Sequence, residues 1–453
     1  MEINNPKPNV LQEKKYDVVF IGGGPATLSF LSYIFKNKQE HVFSTSSILI
    51  IDKSETFGSG CLGKYGINSN TSGEGFLRII SYPDEKVDSK SNLSPNKRSS
   101  LEKQILNTSN KSPNARPKDN FKGRYQPLPI FSDFYNMLPT QTLLSFGSKP
   151  APLAAVGYFF DCLGTFIVEH INKTYKKNIF LSRTEVVSVK ILQNDDFVIN
   201  AKQNSLTFTI KSKFVVLANG GRSYVNPKSF KEITKIIKPS DFYTSDYILQ
   251  ENGYSKLITN LRSKRERKVV IIGGAHSGFS SAWILLNGPS NFKFQGKEFV
   301  SPSSGSYVCL NCVNCNFNCL NEMPSNSYDK PLTNSSGKNC NKECFGKVHD
   351  RHWKNEAFET AKDFKNDKDK LEVLIMYRKQ IRVYYHSEEE AHQDGYSDFE
   401  KTKAVNKSGN VFPFIGIRGD AKELYRSIVR GREKRVRLLK TDTWDSQKNF
   451  ITT

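Results

Sequence analysis

The sequence predicts an α/β fold built from two separate strand–turn–helix units, and three observations predict it. Near the N-terminus, Asp17-Val18-Val19-Phe20-Ile21 runs into Gly22-Gly23-Gly24-Pro25-Ala26-Thr27. Far downstream, Lys268-Val269-Val270-Ile271-Ile272 runs into Gly273-Gly274-Ala275-His276-Ser277-Gly278. Between them, Phe214-Val215-Val216-Leu217 ends at Ala218-Asn219-Gly220-Gly221. A run of branched apolar residues suits a parallel strand covered on both faces. The glycines after it let a pyrophosphate approach main-chain N–H groups at the positive end of the following helix. Two such units in one chain read as two Rossmann-like dinucleotide-binding domains, the arrangement of an enzyme that holds two dinucleotides together.

The first unit is complete within a short stretch. A strand over Val18–Ile21 leads through the turn into an apolar-periodic helix over Leu28–Phe35, and a second strand over Ser47–Ile51 ends at Asp52. An acidic residue at that strand end is placed to accept hydrogen bonds from a ribose. Pro25 suits the first helical turn, where its missing N–H costs nothing. Thr27 stands where the third glycine of the fingerprint is usual. Residues 84–122 are rich in Ser, Asn, Lys and Pro and read as a disordered or loosely tethered insertion. Apolar patterning resumes over Phe131–Leu144, and over Ala154–Ile171 it predicts a long, mostly buried helix. Strand-like runs follow at Glu185–Leu192, Phe197–Ala201, Leu206–Ile210 and Phe214–Leu217.

The second unit continues into a helix over Ser277–Leu286, but its next strand is delayed until Leu371–Arg378. The Cys-rich stretch 290–370 is therefore an insertion inside a βαβ unit, tolerated because lengthening a surface connection adds little entropic cost. Arg378 would emerge beside the adenosine ribose of a dinucleotide, where a guanidinium pairs with a 2′-phosphate; an ordinary surface arginine is the alternative. An amphipathic helix is expected over Ala421–Val429. The expected division is one domain over 14–265 and 395–453, and a second over 266–394.

Composition narrows the function classes. The net charge of +21 invites a nucleic-acid partner, but Lys and Arg are scattered among Asn and Ser. Only Arg430–Arg437 is concentrated, and a solvated helix face explains it as well. Nucleic acid is therefore not the expected partner. No stretch approaches the roughly 20 continuous apolar residues that span a bilayer, and Met1–Lys15 carries no hydrophobic signal-peptide core; a cytoplasmic protein with no membrane contact is expected. Of eight cysteines, six lie between Cys309 and Cys344. Cys309, Cys312, Cys315, Cys319, Cys340 and Cys344, with His349 and His352, supply enough ligands for two tetrahedral zinc sites. The first four also match a bacterial iron–sulfur run, although Pro324 is not adjacent to the last of them. Cys162, in an apolar helix, reads as a buried small hydrophobe.

Gly22-Gly23-Gly24-Pro25-Ala26-Thr27-Leu28-Ser29 is similar to the FAD-binding turn of flavoproteins with two dinucleotide-binding domains, in particular the flavin-containing and N-hydroxylating monooxygenases. Asn70-Thr71-Ser72, after Gly66-Ile67-Asn68-Ser69, resembles their Asn-Thr-Ser segment near the isoalloxazine ring. Ala218-Asn219-Gly220 resembles the Ala-Thr-Gly that ends the return strand of their FAD domain. Gly273-x-Ala275-x-Ser277-Gly278 resembles their NADPH turn, with Ala275 for its second glycine. Gly419-Asp420 matches the late Gly-Asp pair whose carboxylate contacts the ribityl chain. The resemblance implies FAD on the first turn, NADPH on the second, and Asn70 as the polar side chain beside the flavin. It also implies molecular oxygen and a small-molecule substrate, one oxygen atom passing to a nucleophilic nitrogen or sulfur. Two other classes stay open: an iron–sulfur or disulfide-type flavoprotein reductase, and a non-catalytic dinucleotide- and zinc-binding protein. For a disulfide enzyme, Cys61 lacks a partner at position 66, which is Gly66, so Cys309 and Cys312 would have to serve.

Overall fold

The computed structural model describes residues 14–82, 126–289 and 371–441, apart from 148, 176–177, 222–230, 232–234, 236–237, 265, 403, 407–408 and 414. The insertion 84–122, the Cys-rich insertion 290–370 and all eight expected metal ligands lie outside these residues.

Among the described residues, the first sheet has six strands: β1 (Lys15–Ile21), β2 (Ile48–Ile51), β5 (Ile179–Leu181), β6 (Thr184–Ile191), β7 (Phe197–Gln203) and β8 (Leu206–Leu217). Their order is β5-β2-β1-β8-β7-β6. The first four of these are parallel, and β6, β7 and the start of β8 form an antiparallel meander. Ile48–Ile51 is buried on both faces, as its unbroken apolar run predicts. Helices α1 (Pro25–Lys36) and α2 (Leu153–Thr174) cover one face, where Leu28, Leu31, Phe159, Leu163 and Ile167 form a common core. The other face is closed by Tyr16, Val19, Leu49, Ile199, Phe208 and Ile210. The helix α2 is long and apolar enough to cross a membrane, but most of its apolar stretch is buried inside the protein.

One expected pair of strands is a single strand. Leu206–Ile210 and Phe214–Leu217 are joined through Lys211, Ser212 and Lys213 into β8. The polar interruption does not break it because Lys211 and Ser212 pair with β7 on one side and β1 on the other.

The second sheet is wholly parallel, in the order β9 (Arg267–Ile272), β10 (Leu371–Tyr377), β11 (Val436–Lys440). The delayed second strand thus pairs with the first in register, Val269 opposite Val373 and Ile271 opposite Ile375. Helix α4 (His276–Asn287) and helix α5 (Gly419–Val429) pack together over it, around Phe279, Ala282, Leu285, Ala421 and Leu424. Helix α3 (Glu251–Arg262) contributes Tyr254 and Ile258 to the same core.

This packing departs from the expected division at residue 395. Tyr396, Phe399, Val411, Leu424 and Val436 share a core with the second sheet, not the first. The basic stretch Arg430–Arg437 is likewise not one helix face. Arg430 ends α5, Gly431 turns the chain at φ +69°, and Val436-Arg437 begin β11. Alternating charged and apolar residues suit a strand with one covered face, which the density of arginines hid.

Candidate functional site

The first turn is built by close main-chain approaches that only glycine permits. Gly22 has φ +109°, and a Cβ there would collide with the Ala218 carbonyl. Gly22 N–H donates to Ile51 O at 2.8 Å and Ala218 N–H to Ile21 O at 2.8 Å, so the turn is clamped between β2 and the end of β8. Gly24 is the N-cap of α1 and Pro25 opens the helix, with Ala26 exposed at its first turn. Thr27 is buried, and its hydroxyl donates to Gly22 O at 2.5 Å, fastening the helix start to the turn. Asp52 ends β2 as expected; its carboxylate accepts Gly23 N–H at 2.6 Å and Ser54 N–H at 2.7 Å. Each carboxylate oxygen keeps acceptor capacity for a ribose hydroxyl. Gly220, φ +74°, is exposed with open space where a side chain would stand.

The second turn repeats the plan on β9. Gly273 has φ +127°, with open space where a side chain would stand, and its N–H donates to Met376 O at 2.8 Å. Gly278 packs so closely on the Gly273 carbonyl that no Cβ fits, the close helix–strand contact the fingerprint's last glycine provides. Ala275 is the N-cap of α4 at φ −97°, a conformation any residue adopts, and is exposed beside exposed Ser277. Gly274 packs on the side chain of Tyr377, and the next residue, Arg378, is exposed just past the end of β10.

A short strand, β3 (Asn68–Ser72), connects these parts. It pairs antiparallel with β4 (Pro150–Pro152), immediately before α2. Asn68 Nδ2 donates to Asp420 Oδ2 at 2.6 Å, joining β3 to the first turn of α5. Gly419, φ +53°, lies against Pro150 and Asn68. Burial raises the Asp420 pKa, and the Asn68 bond only partly offsets it. Beside this pair lies His276, the first residue of α4. Both its ring nitrogens are buried and neither completes a hydrogen bond. Burial lowers its pKa, the Asn68 main chain opposes that shift, and the Arg418 charge adds to it. Arg418 itself is held by the Tyr384 ring, 3.6 Å from its guanidinium carbon, and by the Pro413 carbonyl.

Asn70, the residue expected beside the flavin, is exposed, and its side-chain oxygen meets the Thr71 hydroxyl at 3.5 Å. The contact that joins β3 to the late Gly-Asp pair falls on Asn68, two residues earlier. Its only signal in the sequence was its place in the same Asn-rich segment. Among the described residues, no group of three or more His, Cys, Asp or Glu is arranged to hold a metal ion. Among the described residues, Cys61 and Cys162 are in no disulfide.

A family comparison matches residues 16–288, more than half of the 453, to the pyridine nucleotide-disulphide oxidoreductases. The chain belongs to this family. The match runs from β1 through the first turn and the meander to the end of α4, and so contains both glycine turns of the oxidoreductase. No curated protein sequence matches it. Among solved structures it is similar to the ornithine hydroxylase PvdA from Pseudomonas aeruginosa, at 10% identity and a TM-score of 0.39, over 94% of this chain and 73% of that one. An L-lysine 6-monooxygenase from Pseudomonas syringae gives 10% identity and 0.39, over 94% and 71%. The cadaverine monooxygenase DfoA from Erwinia amylovora, solved bound to FAD, gives 12% identity and 0.43, over 94% and 69%.

Proposed function

We propose that this oxidoreductase is an FAD-dependent, NADPH-using monooxygenase that oxygenates a nucleophilic nitrogen or sulfur of a small molecule. The observation that carries the proposal is the junction at β3. Asn68 bonds Asp420 through its side chain, and its main chain lies close enough to His276 to bias the ring's charge, so one strand adjoins both the late Gly-Asp pair and the second glycine turn.

The residues fit the two cofactors. Gly22 and Gly24 leave the N-terminus of α1 free of side chains, and Asp52 supplies the carboxylate for a ribose. Gly273, Ala275, Ser277 and Gly278 would seat the second pyrophosphate, with Arg378 toward a 2′-phosphate. Bound flavin supplies the electron transfer and oxygen chemistry that no side chain provides. The chain's own residues bind and orient it. The half-buried Asp420–Asn68 pair would present its remaining acceptor capacity to the ribityl chain, and Asn70, exposed on the same strand, would face substrate.

The test is an absorbance spectrum of purified protein followed by NADPH oxidation and oxygen uptake with a panel of primary amines and thioethers. Yellow protein, oxygen consumption coupled to NADPH, and a hydroxylated or S-oxygenated product are expected. Arg378→Ala should raise KM for NADPH about ten-fold and leave KM for NADH unchanged, the loss of a charge-assisted pair. Colourless protein that takes up no added flavin would refute the proposal.

A further inference from the structure

The loop after β2 carries a polar contact that the cofactor fingerprint does not account for. Residues 56–63 run between the first glycine turn and α2, and both sides are packed at main-chain distance. On the helix side, a Cβ at Gly58 (φ +134°) would collide with Phe160 O, at Gly164 with Phe57 O, and at Gly157 with Gly63. Positions 157, 160–161 and 164 recur at helical spacing, so one face of α2 carries the whole loop. On the turn side, the Phe57 ring leaves no room for a side chain at Gly23, and Gly58 N–H donates to Gly23 O at 2.8 Å. Gly60, φ +54°, rests against Gly24 and the Pro25 ring, with Gly24 Cα 3.9 Å from where its Cβ would stand.

Asp161 sits at the centre of that helix face and is 8% exposed. Its Oδ1 accepts Ser59 N–H at 2.9 Å and the Thr56 hydroxyl at 3.4 Å. A buried carboxylate that accepts main-chain N–H bonds is fixed in place by them, and removing it leaves a buried donor unpaired. The contacts run in series from Asp161 to Ser59, to Gly60, and to Gly24 and Pro25.

We propose that Asp161 is a positioning residue for the first cofactor. It holds Gly60 as the side-chain-free second wall of the cleft at the N-terminus of α1. This rests on the flavin assignment above.

The experiment compares wild type, Asp161→Ala and Asp161→Asn for FAD affinity by flavin fluorescence titration, with NADPH affinity and the thermal midpoint of flavin-free protein alongside. Asp161→Ala should weaken FAD binding about ten-fold, the effect of one unpaired buried donor, with NADPH affinity unchanged. Asp161→Asn keeps an oxygen for Ser59 N–H and should bind FAD within about two-fold of wild type. An alanine variant with wild-type FAD affinity, an asparagine variant as weak as alanine, or equal losses of FAD and NADPH binding would each overturn the proposal. Should Asp161→Ala not fold, Asp161→Glu keeps the charge but overshoots Ser59. It should still weaken FAD binding several-fold, and unchanged affinity refutes the positioning role. If wild type itself binds no flavin, the flavin assignment falls and this proposal with it. Yellow wild type with an unaffected alanine variant sinks the positioning role alone.

Discussion

Thr27 stands where a glycine would let a helix lie close to its strand, and the protein keeps the closeness by another route. The hydroxyl reaches back to Gly22 O at 2.5 Å within a site 1% exposed, so the β-branched residue is fastened to the turn and not merely tolerated there. Thr27→Val preserves shape and removes the bond. It should cost about 1–2 kcal/mol and lower the thermal midpoint by a few degrees, roughly as that scale converts for a domain of this size. An unchanged midpoint in differential scanning calorimetry would refute the bond's role. The second turn divides the labour differently: Gly278 makes the close packing, and Ala275 sits in an ordinary extended conformation where a methyl strains nothing in the backbone.

At the scale of elements, α2 does more than fill the core. Its apolar residues pack on α1 and the first sheet, while Gly157, Asp161 and Gly164 carry the loop that backs the glycine turn. Gly157→Ala adds a methyl against Gly63 main chain, where nothing flexible can yield. Overpacking of this kind costs about 1–3 kcal/mol. The variant should melt earlier than wild type, and in the flavin assignment it should also bind FAD more weakly. A midpoint equal to wild type would show that the helix and loop separate freely. The periodicity that announced α2 revealed its apolar face; it was silent on the Gly-x3-Asp-x2-Gly line, because glycines in a helix read as weakness until the partner main chain is seen.

Across the whole molecule, the two glycine units meet at β3, where His276 and Asp420 are both shifted by burial, in opposite directions. The His276 pKa is lowered from its ordinary 6.5, so below that pH the unfolded chain takes up a proton before the folded one. Its contribution to stability is full above 6.5 and is lost as pH falls through the lowered value. The Asp420 pKa is raised from 3.8, so the folded carboxyl keeps its proton after the unfolded one has released it. Its contribution is full below 3.8 and is lost as pH rises through the raised value. Thermal midpoints measured from pH 4.5 to 8 should therefore show an acid-side decline that His276→Gln flattens. Asp420→Asn, which can still accept from Asn68, should be at least as stable as wild type at neutral pH. An acid limb identical in His276→Gln and wild type would dismiss the histidine as its source.

The sequence by itself determined both strand–turn–helix units, because branched apolar runs ahead of glycines admit few other solutions. It also determined the pairing of Leu371–Tyr377 with Arg267–Ile272 across a long insertion, since a buried parallel strand is recognisable by composition alone. Only the tertiary structure decided that Asn68 and not Asn70 meets Asp420, that Val436–Lys440 completes the second sheet, and that Asp161 backs the first turn. Each of those depends on which main-chain or polar group a distant segment brings to it. A single polar residue or a strand rich in arginine carries no periodic signal of its partner, whereas a hydrophobic run carries the signature of its burial along its own length.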